Sequence, residues 1–154
     1  MIWILGPNLV RNLFEVLETQ LIAVSDVRED RLKQVVSRYP SVEVTTDFHW
    51  LLDNPKIDAI AIATPVSTHY EIALQSGKHV MVEKPMTSSS EQALHLIDEA
   101  TRRKLTLLVD HTFVYTGAVR KIKEITVSGK LGDILYYDST RISLGLFLRE
   151  VDVI

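Results

Sequence analysis

The chain alternates short apolar runs with longer stretches in which apolar residues return every three or four positions. Residues 21–25, 42–44, 58–63, 79–82 and 105–109 are runs of the first kind. The run at 58–63 has the near-continuous hydrophobicity of a strand covered on both faces. Between them, helical spacing groups Leu9, Val10, Leu13, Phe14 and Leu17, then Leu32, Val35 and Val36, then Ala93, Leu94, Ile97 and Ala100. The spacing predicts helices over 7–18, 28–39, a short 47–52, 68–75, one starting near 88, and 116–127. Local signals mark several boundaries. Pro7 suits a first helical turn, and Thr64-Pro65 ends a strand because proline has no N–H for a ladder. Thr68-x-x-Glu71 and Ser88-x-x-Glu91 read as capping boxes, and Gly77 as a helix stop.

Strand–helix alternation as far as residue 109 implies an α/β fold with a doubly wound parallel sheet, its first strand shortened to residues 1–5 or missing. The pattern then changes. Residues 134–144 are the longest strand candidate and resemble the opening strand of an antiparallel sheet, so a second α/β domain begins there. We expect residues 1–112 to form a dinucleotide-binding domain. Residues 113–154 would be the incomplete beginning of a substrate and oligomerisation domain.

The 46% hydrophobic and 24% charged residues can build a core, and the net charge of −3 argues against nucleic-acid or anionic-membrane partners. Arg102-Arg103-Lys104 is the one basic run. It falls at a helix end, where cations complement the dipole. Without cysteine there is no disulfide or thiolate chemistry, and no metal-ligand spacing is present. No apolar run approaches the roughly 20 residues of a membrane span, and the first residues lack signal-peptide regions. The expectation is a cytoplasmic protein.

Ligands of such sheets sit beyond the carboxyl ends of the strands, where Asp26, Thr64-Pro65, Glu83-Lys84-Pro85 and Asp110-His111 fall. Asp26 stands about 20 positions after Gly6, the spacing between a dinucleotide-binding glycine loop and the carboxylate that holds the ribose. A carboxylate there would favour NAD over NADP. The first two glycine positions of that loop, however, hold Met1 and Trp3. Asp26 is also placed to cap the helix that follows. Lys84 could be a solvated lysine, or could hydrogen-bond a hydroxyl and pass its proton, with Glu83 orienting it. His69 falls in the first turn of its helix, facing the strand ends, and His111 follows the last strand.

Ala63-Thr64-Pro65 with His69, Gly77-Lys78-His79-Val80-x-Val82-Glu83-Lys84-Pro85, and Val109-x-His111-Thr112-Phe113 together resemble the Gfo/Idh/MocA family of NAD(P)-dependent oxidoreductases. Gly6-Pro7-Asn8-Leu9-Val10-Arg11-Asn12, Tyr115-x-x-Ala118-Val119-Arg120 and Ser143-Leu144-Gly145-Leu146-Phe147 are similar to the branch that oxidises UDP-linked N-acetylglucosamine or its uronic acid at the 3-hydroxyl. The resemblance implies a Rossmann domain followed by an open-sheet α/β domain through which copies assemble. It implies NAD as cofactor and Lys84 as the catalytic lysine. Gly6, Asp26, Thr64, Pro65, His69 and Glu83 would surround the cofactor. Lys84, His111 and Arg141 are the candidate substrate-binding residues. Members of that branch start earlier, with a strand and two further glycines, and continue through a histidine–aspartate pair; by that measure this chain is shortened at both ends. The expected activity is hydride transfer from the hydroxyl-bearing carbon of a sugar, or nucleotide-linked sugar, to NAD, with little turnover by these residues alone. The alternative is a non-catalytic remnant that associates through its exposed C-terminal strand.

Overall fold

The computed structural model describes residues 6–140 and 142. Two units divide the chain, the first ending at Val109 and the second starting at Asp110. The expected short first strand, residues 1–5, lies outside the described residues.

The first unit runs α1 (Gly6–Glu15), β1 (Ala23–Ser25), α2 (Glu29–Arg38), β2 (Glu43–Thr45), α3 (His49–Asp53), β3 (Ala59–Ile62), α4 (Val66–Ser76), β4 (His79–Glu83), α5 (Ser90–Arg103) and β5 (Leu107–Asp110). The strict alternation is the expected α/β pattern, and each element falls within a few residues of its sequence prediction. Among the described residues the strands form two sheets. β1 pairs parallel with β2, Val24 opposite Val44. β3 pairs parallel with β4, Ile60 opposite Val80 and Ile62 opposite Val82, and β5 lies on the other side of β4.

A trench of about 620 Å³ is lined by both β1 and β3, with walls from α1, α2 and α3. Its presence corrects one reading. The run at 58–63 is not covered on both faces, since Ala59 and Ala61 are exposed and only Ile62 of β3 is buried.

The core of the first unit lies on the β3–β4 side, where Ile62, Ala73, Val80, Val82 and Leu96 cluster and Val82 is wholly buried. The buried face of α5 is rotated from the expected one: Leu96 enters the core, while Leu94 and Ile97, expected on the inner face, are exposed. Arg102 and Arg103 at the end of α5 both pair with Glu99, so the basic run is a helix terminus.

Two local signals shift in the structure, and a third, Gly77, holds. α4 starts at Val66 behind Pro65, so Thr68 is inside the helix and not its cap. Its hydroxyl donates instead to Thr64 Oγ1 at 2.7 Å and to the Pro65 carbonyl at 2.8 Å. Proline's fixed φ starts that helix without a side-chain cap. The second capping box sits one residue later than expected. Ser89 Oγ accepts from Gln92 N–H, and Gln92 Oε1 accepts from Ser88 N–H. Gly77 ends α4 with φ +59°, a left-handed turn that favours glycine.

In the second unit, a 3₁₀ turn (Thr112–Tyr115) precedes α6 (Gly117–Val127). Residues 134–140 form no strand, which removes the ladder expected to open an antiparallel sheet. The remainder of that candidate, apart from Ile142, lies outside the described residues.

Candidate functional site

The trench collects three of the expected cofactor residues: Gly6, Asp26 and Thr64. Gly6 begins α1, whose first turn carries no acidic residue. Asp26 follows the last residue of β1, and its backbone N–H donates to Thr45 O. Thr64 follows β3 and is half-buried.

Asp26 fills the structural one of the two roles that its sequence position left open. Its Oδ1 accepts the Arg28 N–H at 2.9 Å, an Asx turn into α2, while Oδ2 pairs with Arg31 Nη1 at 3.1 Å. Only 10% of the Asp26 side chain and 5% of the Arg31 side chain are exposed. Each carboxylate oxygen accepts more than one hydrogen bond, so Asp26 keeps capacity for a ribose hydroxyl. Arg31 was not singled out from sequence. Its signal was there, four positions before Val35 on the inward face of α2.

The remaining candidates of the first unit cluster where β3 and β4 end side by side. Glu83 closes β4 and is buried, whereas Lys84 and Pro85 beyond it are exposed and joined by a cis peptide. Lys84 makes no hydrogen bond or ion pair among the described residues, which leaves its ammonium available to a ligand. Pro65 is exposed. His69, expected beside the cofactor, is 2% exposed, and its two ring nitrogens meet the backbone carbonyls of Thr64 and Pro85. Its ring therefore contacts the loops that carry the site.

His111 is exposed and belongs to the second unit, and Arg141 lies outside the described residues. Among the described residues no group of three or more histidine, cysteine or acidic side chains could hold a metal ion, and no helix is long and apolar enough to cross a membrane.

The described residues suit a dinucleotide at its ribose end. The trench brings a mostly buried carboxylate and a glycine at a helix start to the carboxyl ends of parallel strands, where such ligands bind.

A family model described as an oxidoreductase family with an NAD-binding Rossmann fold, GFO_IDH_MocA, matches residues 3–111. A Comamonas testosteroni 1-carboxy-3-chloro-3,4-dihydroxycyclohexa-1,5-diene dehydrogenase is 34% identical over 123 residues, covering 78% of this chain and 31% of that protein. A dTDP-3,4-didehydro-2,6-dideoxy-alpha-D-glucose 3-reductase from Saccharopolyspora spinosa is 28% identical over 123 residues, covering 78% of this chain and 37% of its own length. Among solved structures, a 3-ketoreductase from Actinomadura kijaniata in complex with NADP and TDP-benzene superposes with a TM-score of 0.70 at 28% identity, covering 78% of this chain and 38% of that one. The chain thus spans about a third of the length of the curated relatives it matches. With its strand–helix alternation and a family match over most of its length, the chain belongs to the Gfo/Idh/MocA oxidoreductase family with an NAD-binding Rossmann fold.

Proposed function

We propose that this chain is the cofactor-binding part of an NAD-dependent dehydrogenase acting on a hydroxyl group of a sugar, with a nucleotide-linked sugar as the substrate class. The observation that carries the reading is the gathering of Gly6, Asp26 and Thr64 along one trench, in a unit that also ends β4 in Glu83-Lys84-Pro85. The substrate class is supported by a relative named for a dTDP-linked sugar and by a solved 3-ketoreductase that holds TDP-benzene.

In this reading Asp26 holds the adenosine ribose, Gly6 and the N–H groups of α1 face the pyrophosphate, and Thr64, Pro65 and Glu83 border the nicotinamide. When bound, the nicotinamide accepts hydride from the carbon being oxidised. Lys84, an exposed cation free to hydrogen-bond, holds the substrate hydroxyl and takes part in removing its proton. His111 and Arg141 are assigned to the substrate side. A positioned acid or base contributes about 10²–10⁴-fold to a rate. A chain spanning about a third of its relatives' length is therefore expected to bind cofactor but turn over little substrate by itself. Assembly of copies through the second unit belongs to the same reading and is tested by size exclusion.

The deciding experiment is a titration of the purified chain with NADH, followed by energy transfer from its two tryptophans. Saturable binding by a chain that circular dichroism reports as folded is the expected result. A folded chain without measurable NADH binding overturns the proposal.

A further inference from the structure

We infer that His69 carries a proton on each ring nitrogen and acts as a cationic clamp, a positioning residue that fixes the Lys84-Pro85 loop against the Thr64-Pro65 loop. The inference takes its functional meaning from the site proposed above, but its chemistry is independent of that site.

The ring sits in the first turn of α4 and is almost wholly buried. Its Nδ1 is 2.9 Å from the carbonyl oxygen of Pro85, and its Nε2 is 2.8 Å from the carbonyl oxygen of Thr64. Both partners are backbone carbonyls, which only accept. A neutral imidazole offers one N–H and one lone pair, so in either tautomer one contact would set lone pair against lone pair inside hydrogen-bond distance. Turning the ring over does not resolve this, because it brings C–H groups to both carbonyls. A hydroxyl or amide partner could reorient to donate; these carbonyls are fixed by the backbone. The arrangement that satisfies both contacts is the imidazolium, whose two N–H groups each donate to one carbonyl.

The two carbonyls belong to connections that the sheet register places side by side. Ile62 pairs with Val82, so the chain leaves β3 toward Thr64-Pro65 next to where it leaves β4 toward Lys84-Pro85. The Thr64 carbonyl immediately precedes Pro65, and the Pro85 carbonyl is one residue beyond Lys84. The Thr68 hydroxyl adds a second tie within the first loop. His69 thus couples the backbone that carries Lys84 to the backbone that borders the trench, while its own ring stays buried.

The test is nitrogen NMR of the whole chain labelled with ¹⁵N-histidine, at neutral pH and without cofactor. The expected His69 signature is two protonated ring nitrogens, both correlated with the ring protons. One imine-type nitrogen overturns the inference. His69→Gln can donate to one carbonyl at most, so it tests the coupling. With lysines ¹³C-methylated and the Lys84 signal assigned through Lys84→Arg, that signal is expected to move in His69→Gln while Lys56 and Lys121 stay in place. An unmoved Lys84 signal overturns the positioning role. If His69→Gln does not fold, the wild-type nitrogen spectrum still decides the protonation state on which the clamp depends. Neither arm requires cofactor. A chain that fails to bind NADH yet shows the doubly protonated ring defeats the proposed function alone, and one that binds NADH with a neutral His69 defeats this inference alone.

Discussion

Asp26→Asn separates the two demands placed on one carboxylate. The substitution keeps an oxygen for the Arg28 N–H but removes the charge that faces Arg31 across 3.1 Å in a mostly buried position. Breaking a buried ion pair by removing one partner costs about 3–5 kcal/mol, and the remaining exposure of this pair puts the expected loss of stability at the lower end, about 3 kcal/mol. For the cofactor, a hydrogen bond to a charged group is worth about 1.5–3 kcal/mol, so NADH binding should weaken roughly 10- to 100-fold. NADPH carries a phosphate where the carboxylate would sit, so it loses a repulsion in the same variant. The assay is calorimetric titration of wild type and variant with both cofactors at one ionic strength. Partial unfolding lowers both apparent affinities by the same factor, so the NADH-to-NADPH ratio is insensitive to it. The expected result is a fall in that ratio of about tenfold or more. Equal weakening of both cofactors would refute the ribose role and leave Asp26 as the structural partner of Arg31.

Val82→Ala removes about two methylene equivalents from a fully buried position, about 1.6 kcal/mol of transfer free energy, and leaves a cavity besides. A urea midpoint corresponding to a loss of about 2–3 kcal/mol is expected, and a loss below about 0.5 kcal/mol would contradict the placement of the core. Ser89→Ala should cost about 0.5–2 kcal/mol through the lost cap of α5, and Ser88→Ala clearly less; the reverse order would restore the sequence-predicted box. Lys78→Met withdraws an ammonium that donates to the carbonyls of Asn54 at 2.9 Å and Ile57 at 2.7 Å, so thermal melting should show a loss of about 1–3 kcal/mol. Three carboxyls are held below their ordinary range: Asp30 by its hydrogen bond from Arg28, Glu91 by backbone and Ser89 hydrogen bonds, and Glu99 by Arg102 and then Arg103. Their contribution to stability is present above the ordinary carboxylate values of 3.8 and 4.5 and is lost as pH falls through the depressed values. A urea midpoint that does not decline on acidification below that range would contradict these assignments.

The sequence by itself determined the order and type of the elements in the first unit, because each is encoded locally. Two-faced apolar runs such as 79–82 can only be interior strands, and the helical recurrence of Leu32 and Val35 or of Ala93, Leu94, Ile97 and Ala100 marks a helix, although which side of α5 turns inward was decided by packing, which buried Leu96 and exposed Leu94 and Ile97. The same locality put Asp26, Thr64 and Lys84 at strand ends. Boundaries set by competing short-range bonds were less legible. Thr68 resembles a cap in sequence, yet Pro65 starts the helix and releases the Thr68 hydroxyl to Thr64. The polar alternation over 134–144 resembles a strand, but a strand needs a partner to complete its hydrogen bonds, and no spacing within a single segment specifies one. Tertiary structure alone decided what depends on two distant segments meeting. It enclosed Asp26 against Arg31, opened the trench along β3 and so exposed Ala59 and Ala61, and set the His69 ring between carbonyls at positions 64 and 85. Burial and partner geometry are properties of the assembled sheet, so the same histidine that a motif places near a cofactor becomes, once the strands pair, the group that holds the loops in place.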